Sequence, residues 1–234
     1  MRGARRYRFL LFDADNTLFD FTAGERAALT EAFEACGVPL YPGILDVYSA
    51  CNEDCWRRLE NGELGKKELV SLRFAQTFRH FGIEADAVRV DDVYEEALSK
   101  KAILLPGAKD MVKRFYGRAG IYIITNGLSR VQRGRFSHTD LFDYVDDVFI
   151  SEEMGSKKPD AAFFDLVAAR IPGYKKEEAL VVGDSLSSDI RGANNAGLDC
   201  VWYNPRGAEN TDGLRITKTV SDFDELTAFL EEHL

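Results

Sequence analysis

One short apolar run stands by itself near the start of the chain, and its surroundings fix what the rest can become. Residues 7–13, YRFLLFD, show no alternation of apolar and polar positions. Such a run reads as a strand buried on both faces, which is the habit of a parallel sheet covered by helices. Other strands must exist to pair with it, yet none follows for a long stretch. From about Phe21 to Lys100 the apolar residues recur at spacings of three and four, as in Leu69, Leu72, Phe74 and Phe78, which is helical periodicity. Thr22 is placed to cap a helix through Cys36, ended by Gly37 and Pro39. Pro42-Gly43 opens a second, stopped at Asn61-Gly62. A third covers residues 66–81 and ends at Gly82, and a fourth lies near residues 91–100.

Only after Leu105-Pro106-Gly107 does strand text return, now alternating with helix. Strands are expected at residues 121–125, 147–150, 179–182 and 200–203. Helices are expected at 108–116, 129–137, 161–170, 189–196 and 223–232. Strands separated by helices imply right-handed crossovers and a doubly wound parallel sheet. The simplest topology is an α/β core, residues 1–20 and 101–234, interrupted after its first strand by an all-helical insertion, residues 21–100.

Charge and composition narrow the function. Lys and Arg number 30 against 39 Asp and Glu, a net charge of −9. A binder of nucleic-acid polymers gathers Lys and Arg against phosphates. Here the only dense basic stretch is Arg2, Arg5, Arg6 and Arg8, read as a solvated leader. The apolar runs are too short to span a bilayer, and Asp13 and Asp15 interrupt the first one at once, so it is no signal peptide. The chain reads as cytoplasmic, without a membrane partner. Cys36, Cys51, Cys55 and Cys200 then read as free thiols. No His or Cys near Cys51 and Cys55 completes a zinc set. His80, His138 and His233 are scattered singly.

Ligands of open parallel sheets bind outside the carboxyl ends of the strands. The first strand runs into Asp13-Ala14-Asp15-Asn16-Thr17. Two acids two apart on extended chain point the same way, which suits a hard cation such as Mg²⁺, or a nucleophile beside a proton donor. It is also an ordinary capped turn. The second core strand ends Thr125-Asn126-Gly127, able to present N–H and O–H donors to a phosphate. Gly155-Ser156-Lys157-Lys158-Pro159 follows the third, and Gly183-Asp184 with Asp189 follows the fourth, where Asp189 is placed to cap a helix.

In this order, these motifs resemble the haloacid dehalogenase (HAD) superfamily over nearly the whole core. Asp13-x-Asp15-x-Thr17 matches its first motif, Thr125 the second, Lys158 within G-x-x-K-P-D the third, and Gly183-Asp184 with Asp189 the fourth. The helical insertion matches that family's cap domain. The resemblance implies an HAD (Rossmann-like) core and a phosphoric monoester hydrolase. Asp13 would be the nucleophile, forming an aspartyl-phosphate, and Asp15 the acid and base. Mg²⁺ would be held by Asp13, Asp184 and the Asp15 backbone carbonyl. Thr125, Asn126, Gly127 and Lys158 would bind the phosphoryl group, with Lys157 the runner-up for the Lys158 role. Asp189 would orient metal waters or Lys158 from behind. Dehalogenase members lack an acid in the Asp15 position, so its presence favours phosphate chemistry.

The segment from Asp15 to Phe21 and the insertion text around Asn61 to Phe74 resemble the branch containing pyrimidine 5′-nucleotidases. A small phosphorylated metabolite, a pyrimidine nucleoside monophosphate, is therefore the expected substrate. Alternatives are a sugar-phosphate, N-acylneuraminate 9-phosphate or phosphoglycolate phosphatase, and a non-catalytic regulatory module that accepts phosphate. The insertion is expected to close over the site and set selectivity, with Phe21, Trp56, Arg57 and Arg73 as base or sugar contacts, or else as packing and solvated faces. Nothing in the sequence fixes the oligomeric state.

Overall fold

The computed structural model describes residues 7–234. Arg2, Arg5 and Arg6 lie outside the described residues, while Arg8 is exposed and pairs with Glu178. The elements run β1 (Phe9–Phe12), α1 (Phe21–Cys36), α2 (Ile44–Glu60), α3 (Lys66–Phe81), α4 (Ala87–Leu98), α5 (Ala108–Phe115), β2 (Gly120–Thr125), α6 (Ser129–Ser137), β3 (Asp147–Ile150) and α7 (Ser151–Met154). They continue α8 (Ala161–Arg170), β4 (Ala179–Gly183), α9 (Arg191–Ala196), β5 (Asp199–Tyr203), β6 (Lys218–Val220) and α10 (Phe223–His233).

The strands form one parallel sheet in the order β3-β2-β1-β4-β5-β6. β1 is central and buried along its whole length, with Phe12 paired to Ile123 on one side and Val182 on the other. The chain builds outward from β1 through β2 to β3, then crosses back to β4. That reversal of direction, between β1 and β4, leaves a crevice at their carboxyl ends. Asp13 and Asp184 are the residues that follow those ends. The α/β, doubly wound architecture is thus the one expected, with some differences of detail. A sixth strand, β6, pairs parallel with β5 at the sheet edge, and a single helical turn, α7, follows β3. Helix α4 begins earlier than its apolar pattern, because the Asp86 side chain accepts from the amides of Val88 and Arg89. Thr22 lies inside α1 rather than capping it.

The described chain divides into two compact units. One holds the sheet and comprises the residues up to Asp20, Ile103–Gln132 and Thr139–Leu234; the other holds Phe21–Ala102 together with Arg133–His138. The second unit is therefore larger than the expected 21–100. Its extra segment carries Arg135, which is 1% exposed and sits with its guanidinium 5.7 Å from the centre of the Phe21 ring. Within the sheet unit the two ends of the insertion pair with each other: the Asp20 amide donates to the Ile103 carbonyl and the Leu105 amide to the Leu18 carbonyl, both at 2.9 Å.

Inside the helical unit a polar network crosses an otherwise aromatic core of Phe33, Tyr48, Phe74, Phe78 and Tyr94. Arg73 of α3 is 2% exposed. It donates to Asp91 of α4 at 2.6 Å and to Asn52 of α2 at 3.1 Å. Asn52 donates in turn to Glu25 of α1 at 2.8 Å, and Ser49 to the other Glu25 oxygen at 3.0 Å. The guanidinium also lies 5.0 Å from the Tyr94 ring centre and 5.5 Å from that of Phe74. Charged groups tolerate such burial only when paired and hydrogen-bonded. Arg73 is thus a structural cation in a network that ties four helices together, which is the packing role open to it from the sequence rather than the contact with a base or sugar. Trp56 packs half-buried against Cys55, Leu59 and Leu69, and Arg57 is exposed and pairs with Asp54. No described helix is long and apolar enough to cross a membrane, and all four cysteines are free thiols.

Candidate active site at the carboxyl ends of β1 and β4

The chain leaving β1 is held in place by its neighbours. The Asp13 amide donates to the Val182 carbonyl at 2.8 Å, extending the ladder by one residue beyond the strand. The chain then turns back through Asn16, whose φ of 59° lies in the left-handed region that Asn tolerates better than most residues. The amides of Leu18 and Phe19 both donate to the Ala14 carbonyl. The tight loop fixes Asp13 and Asp15 as a pair.

Lys158 reaches this loop from the segment after α7. Its ammonium donates to Asp13 Oδ1 at 2.6 Å, to Asp189 Oδ1 at 2.7 Å and to the Ile124 carbonyl at 2.9 Å. All three of its protons are thereby engaged. Burial alone would lower the Lys158 pKa, but Asp13 and Asp189 beside it push it up, so it stays charged. Lys157 does not take this place. The backbone of Lys158 is set by Asn126, whose side-chain amide donates to the Lys158 carbonyl at 2.8 Å while its oxygen accepts from the Lys158 amide at 2.9 Å. The Asn126 side chain therefore positions Lys158, a task the sequence did not suggest. The Thr125 hydroxyl, buried at the end of β2, accepts from the Gly127 amide at 3.1 Å, which shapes the turn where phosphate donors were expected.

Asp184 follows β4. Its Oδ1 accepts from the Thr17 hydroxyl at 3.2 Å, and its carbonyl accepts from the Trp202 indole at 2.8 Å. Asp189 sits in a π-helical turn, Leu186–Ile190, ahead of α9. It does not cap that helix as expected. Its Oδ2 accepts from the Ser185 amide at 3.1 Å while Oδ1 takes Lys158. Room for this exists because residue 183 is glycine: a Cβ there would lie 2.3 Å from the Asp189 carboxyl carbon. Asp189 thus holds Lys158 from behind.

Oxygens of Asp13, Asp184 and Asp189 all lie within 4.8 Å of one another. Burial raises the Asp13 pKa well above the usual carboxylate range, against the pull of Lys158. Burial and the nearby Asp189 charge push Asp184 up to about 7. Three hard-oxygen acids around one ammonium favour a further positive charge, and the donor set fits Mg²⁺. Asp189 already spends both oxygens on Lys158 and Ser185, which leaves Asp13 and Asp184 as the carboxylates best placed to hold an ion. The Asp15 side chain is not part of this cluster. Its Oδ2 accepts instead from the side chain of Gln132 at 2.8 Å, a contact with no trace in the local sequence pattern.

The haloacid dehalogenase-like hydrolase family model matches residues 7–197 of this sequence, a span containing every residue of the cluster. The chain is a member of the HAD-like hydrolases. Among characterised HAD relatives it is 39% identical over 229 residues to the pyrimidine 5′-nucleotidase PynA of Streptococcus pneumoniae, covering 97% of each chain. It is 33% identical to the pyrimidine 5′-nucleotidase YjjG of Escherichia coli, covering 97% of this chain and all of that one. The solved structure of the putative HAD-hydrolase YfnB from Bacillus subtilis, bound to magnesium, superposes with a TM-score of 0.92 at 36% identity, over 97% of this chain and 99% of that one. Membership makes the chain a hydrolase.

Proposed function

We propose that this HAD-type phosphatase hydrolyses the 5′-monophosphates of pyrimidine nucleosides through an aspartyl-phosphate on Asp13. The observation that carries the chemistry is the Lys158 ammonium 2.6 Å from Asp13 Oδ1, beside Asp184 and Asp189. The relatives named as pyrimidine 5′-nucleotidases, matched end to end, support the substrate class.

In the first half-reaction a carboxylate oxygen of Asp13 bonds to phosphorus as the bond from phosphorus to the ester oxygen breaks. Asp15 gives its proton to that ester oxygen, and the nucleoside leaves with a free hydroxyl. In the second, a water oxygen bonds to phosphorus as the bond to Asp13 breaks, and the water proton passes to Asp15. Both carboxyl groups end as they began, and inorganic phosphate is released. Lys158 keeps the Asp13 carboxylate oriented and places positive charge where the phosphoryl oxygens gain negative charge. Thr125 and the backbone around Asn126 and Gly127 receive those oxygens. Asp13, Asp184 and the Asp15 carbonyl would hold Mg²⁺, which when bound offsets the repulsion between Asp13 and an anionic substrate.

A phosphate-release panel of nucleotides and sugar phosphates tests the reading. UMP, dUMP or dTMP should exceed AMP by at least about tenfold in kcat/KM, which is about 1.4 kcal/mol of transition-state discrimination. Preference for a purine nucleotide or a sugar phosphate would overturn the substrate class and leave the chemistry standing. Rapid quenching with phosphorus-labelled substrate should leave label on the Asp13 peptide, and label elsewhere would remove the nucleophile.

A further inference from the structure

We infer that Trp202 is a positioning residue for magnesium binding that holds Asp184 by its main chain; the inference rests on the role proposed for Asp184 as a carboxylate that holds the ion. Trp202 lies on β5, opposite Gly183 of β4. It is 5% exposed and shares an apolar cluster with Val181, Ile190 and Cys200. Its indole N–H donates to the Asp184 carbonyl at 2.8 Å.

Two features mark this contact as more than packing. The first is the kind of side chain. Phe or Leu fills an apolar niche without further demand, whereas a buried indole brings an N–H that needs an acceptor. The acceptor here is the carbonyl one residue past the end of β4, where the ladder with β5 has stopped. The second feature is what holds the other side of the same peptide group. The Ser185 amide donates to Asp189 Oδ2 at 3.1 Å. The carbonyl and N–H of a trans peptide point in opposite directions, so Trp202 and Asp189 grip the peptide between residues 184 and 185 from its two sides. Turning that peptide would break both bonds.

The consequence falls on Asp184. With the peptide fixed, the direction in which the Asp184 side chain leaves the chain is fixed too. The carboxylate has its own restraint, the Thr17 hydroxyl on Oδ1 at 3.2 Å. Asp189 carries the hold further, because its Oδ1 accepts from the Lys158 ammonium, which also donates to Asp13 Oδ1. Asp13 and Asp184 are thus set against one another by a chain of hydrogen bonds that begins at the Trp202 indole. Ligands set before an ion arrives lose little affinity to their own ordering. Without the indole N–H the peptide is held on one side only, Asp184 turns more freely, and the ion binds more weakly. Lys158 keeps its bonds to Asp13 and to the Ile124 carbonyl, so the chemistry that follows binding is little altered.

Trp202→Phe, which keeps an aromatic ring and loses the N–H, tests this beside Asp184→Ala. Mg²⁺ is titrated into isotope-labelled protein, and its dissociation constant is read from the amide signals that move. Trp202→Phe should raise that constant about tenfold and change kcat on an aryl phosphate at saturating Mg²⁺ by less than about threefold. In the parent, the Trp202 indole N–H signal should move with the same dissociation constant. It is one of two indole signals in the chain and is identified by its loss in Trp202→Phe. An unchanged dissociation constant would overturn the positioning role, even beside a lower melting temperature. So would an indole signal that stays still through the titration, or a kcat deficit that saturating Mg²⁺ does not remove. If Trp202→Phe does not fold, benzothienylalanine, with sulfur in place of the N–H, replaces the sole tryptophan of a Trp56→Phe chain and is compared with that chain by the same measurements. Asp184→Ala should bind Mg²⁺ far more weakly than the parent. If it binds as tightly, the proposed role of Asp184 fails first, and that result is distinguishable from a failure of Trp202 alone.

Discussion

Replacing Arg73 by Met should unfold the helical unit far more readily while leaving substrate affinity alone. Arg73 is nearly inaccessible to solvent and pairs with a buried Asp91. Removing one partner of such a pair strands the other, a loss of about 3–5 kcal/mol. An exposed ion pair would be worth about 0–1 kcal/mol, so the two situations are easily told apart. For a protein of this size the loss corresponds to a fall in melting temperature on the order of 10 °C, read by circular dichroism. Adding Asp91→Leu should restore part of it, because no orphaned charge then remains.

The pH dependence has a definite sign. Burial raises the pKa of Glu25, and likewise that of Asp91, with Arg73 opposing the shift in both. Without Arg73 that opposition is gone and both rise further. A carboxyl group with a raised folded-state pKa binds more protons in the native state than in the unfolded one. Stability then falls as pH rises above the ordinary carboxylate range, so the deficit of the Met variant should be larger at pH 8 than at pH 5. Glu53, Asp92 and the two tyrosines Tyr48 and Tyr94 share this environment and bear on its size rather than its direction. A loss under about 1 kcal/mol, or a raised KM with unchanged stability, would refute the structural role and return Arg73 to the substrate.

Asp13→Asn should fold normally and lose essentially all activity, since a carboxamide is a poor nucleophile and the size barely changes; activity within a few-fold of the parent at saturating Mg²⁺ would refute this. Thr17→Val removes the hydroxyl that holds Asp184 at 3.2 Å. The Mg²⁺ concentration for half-maximal activity should then rise about 10–100-fold, with kcat at saturation little altered. Gly183→Ala places a methyl group 2.3 Å from the Asp189 carboxyl carbon. It should displace Asp189 from Lys158 and lower kcat by at least about tenfold, measured beside an unchanged circular dichroism spectrum.

The residues at the strand ends were legible because each ends a short apolar run, and a parallel sheet collects such ends on one side. Asp13, Thr125 and Asp184 could be found that way, and the switch in strand order brings Asp13 and Asp184 together; Lys158 lies past β3 and α7 and was legible only through its place in the G-x-x-K-P-D motif. Gln132 could not. Its partner lies 117 positions earlier, and a glutamine in the first turns of a helix reads as solvated. Arg73 left two readings open for a related reason. The buried stripe of α3 is Leu69, Arg73, Phe74, Thr77 and Phe78, and two of its five members are polar. A hydropathy pattern weighs each residue by its own solvation and cannot see that Asp91 and Asn52 arrive from other helices to satisfy one of them. Strand β6 escaped notice because only Val220 of its three residues is buried, and one apolar position defines no period.

The paired ends of the insertion bear on how such a protein can change over time. From within the sheet unit, Asp20 and Ile103 are hydrogen-bonded neighbours, as if a hairpin joined them. The ends of the excursion are fixed by the core itself, and the entropy of closing a longer loop grows only with the logarithm of its length. Helices can be added, lost or replaced between those two residues at little entropic cost to the closure of the core. Asp13 and Asp15, the carboxylates proposed to react, thus lie only a few residues ahead of the point where the insertion leaves the core.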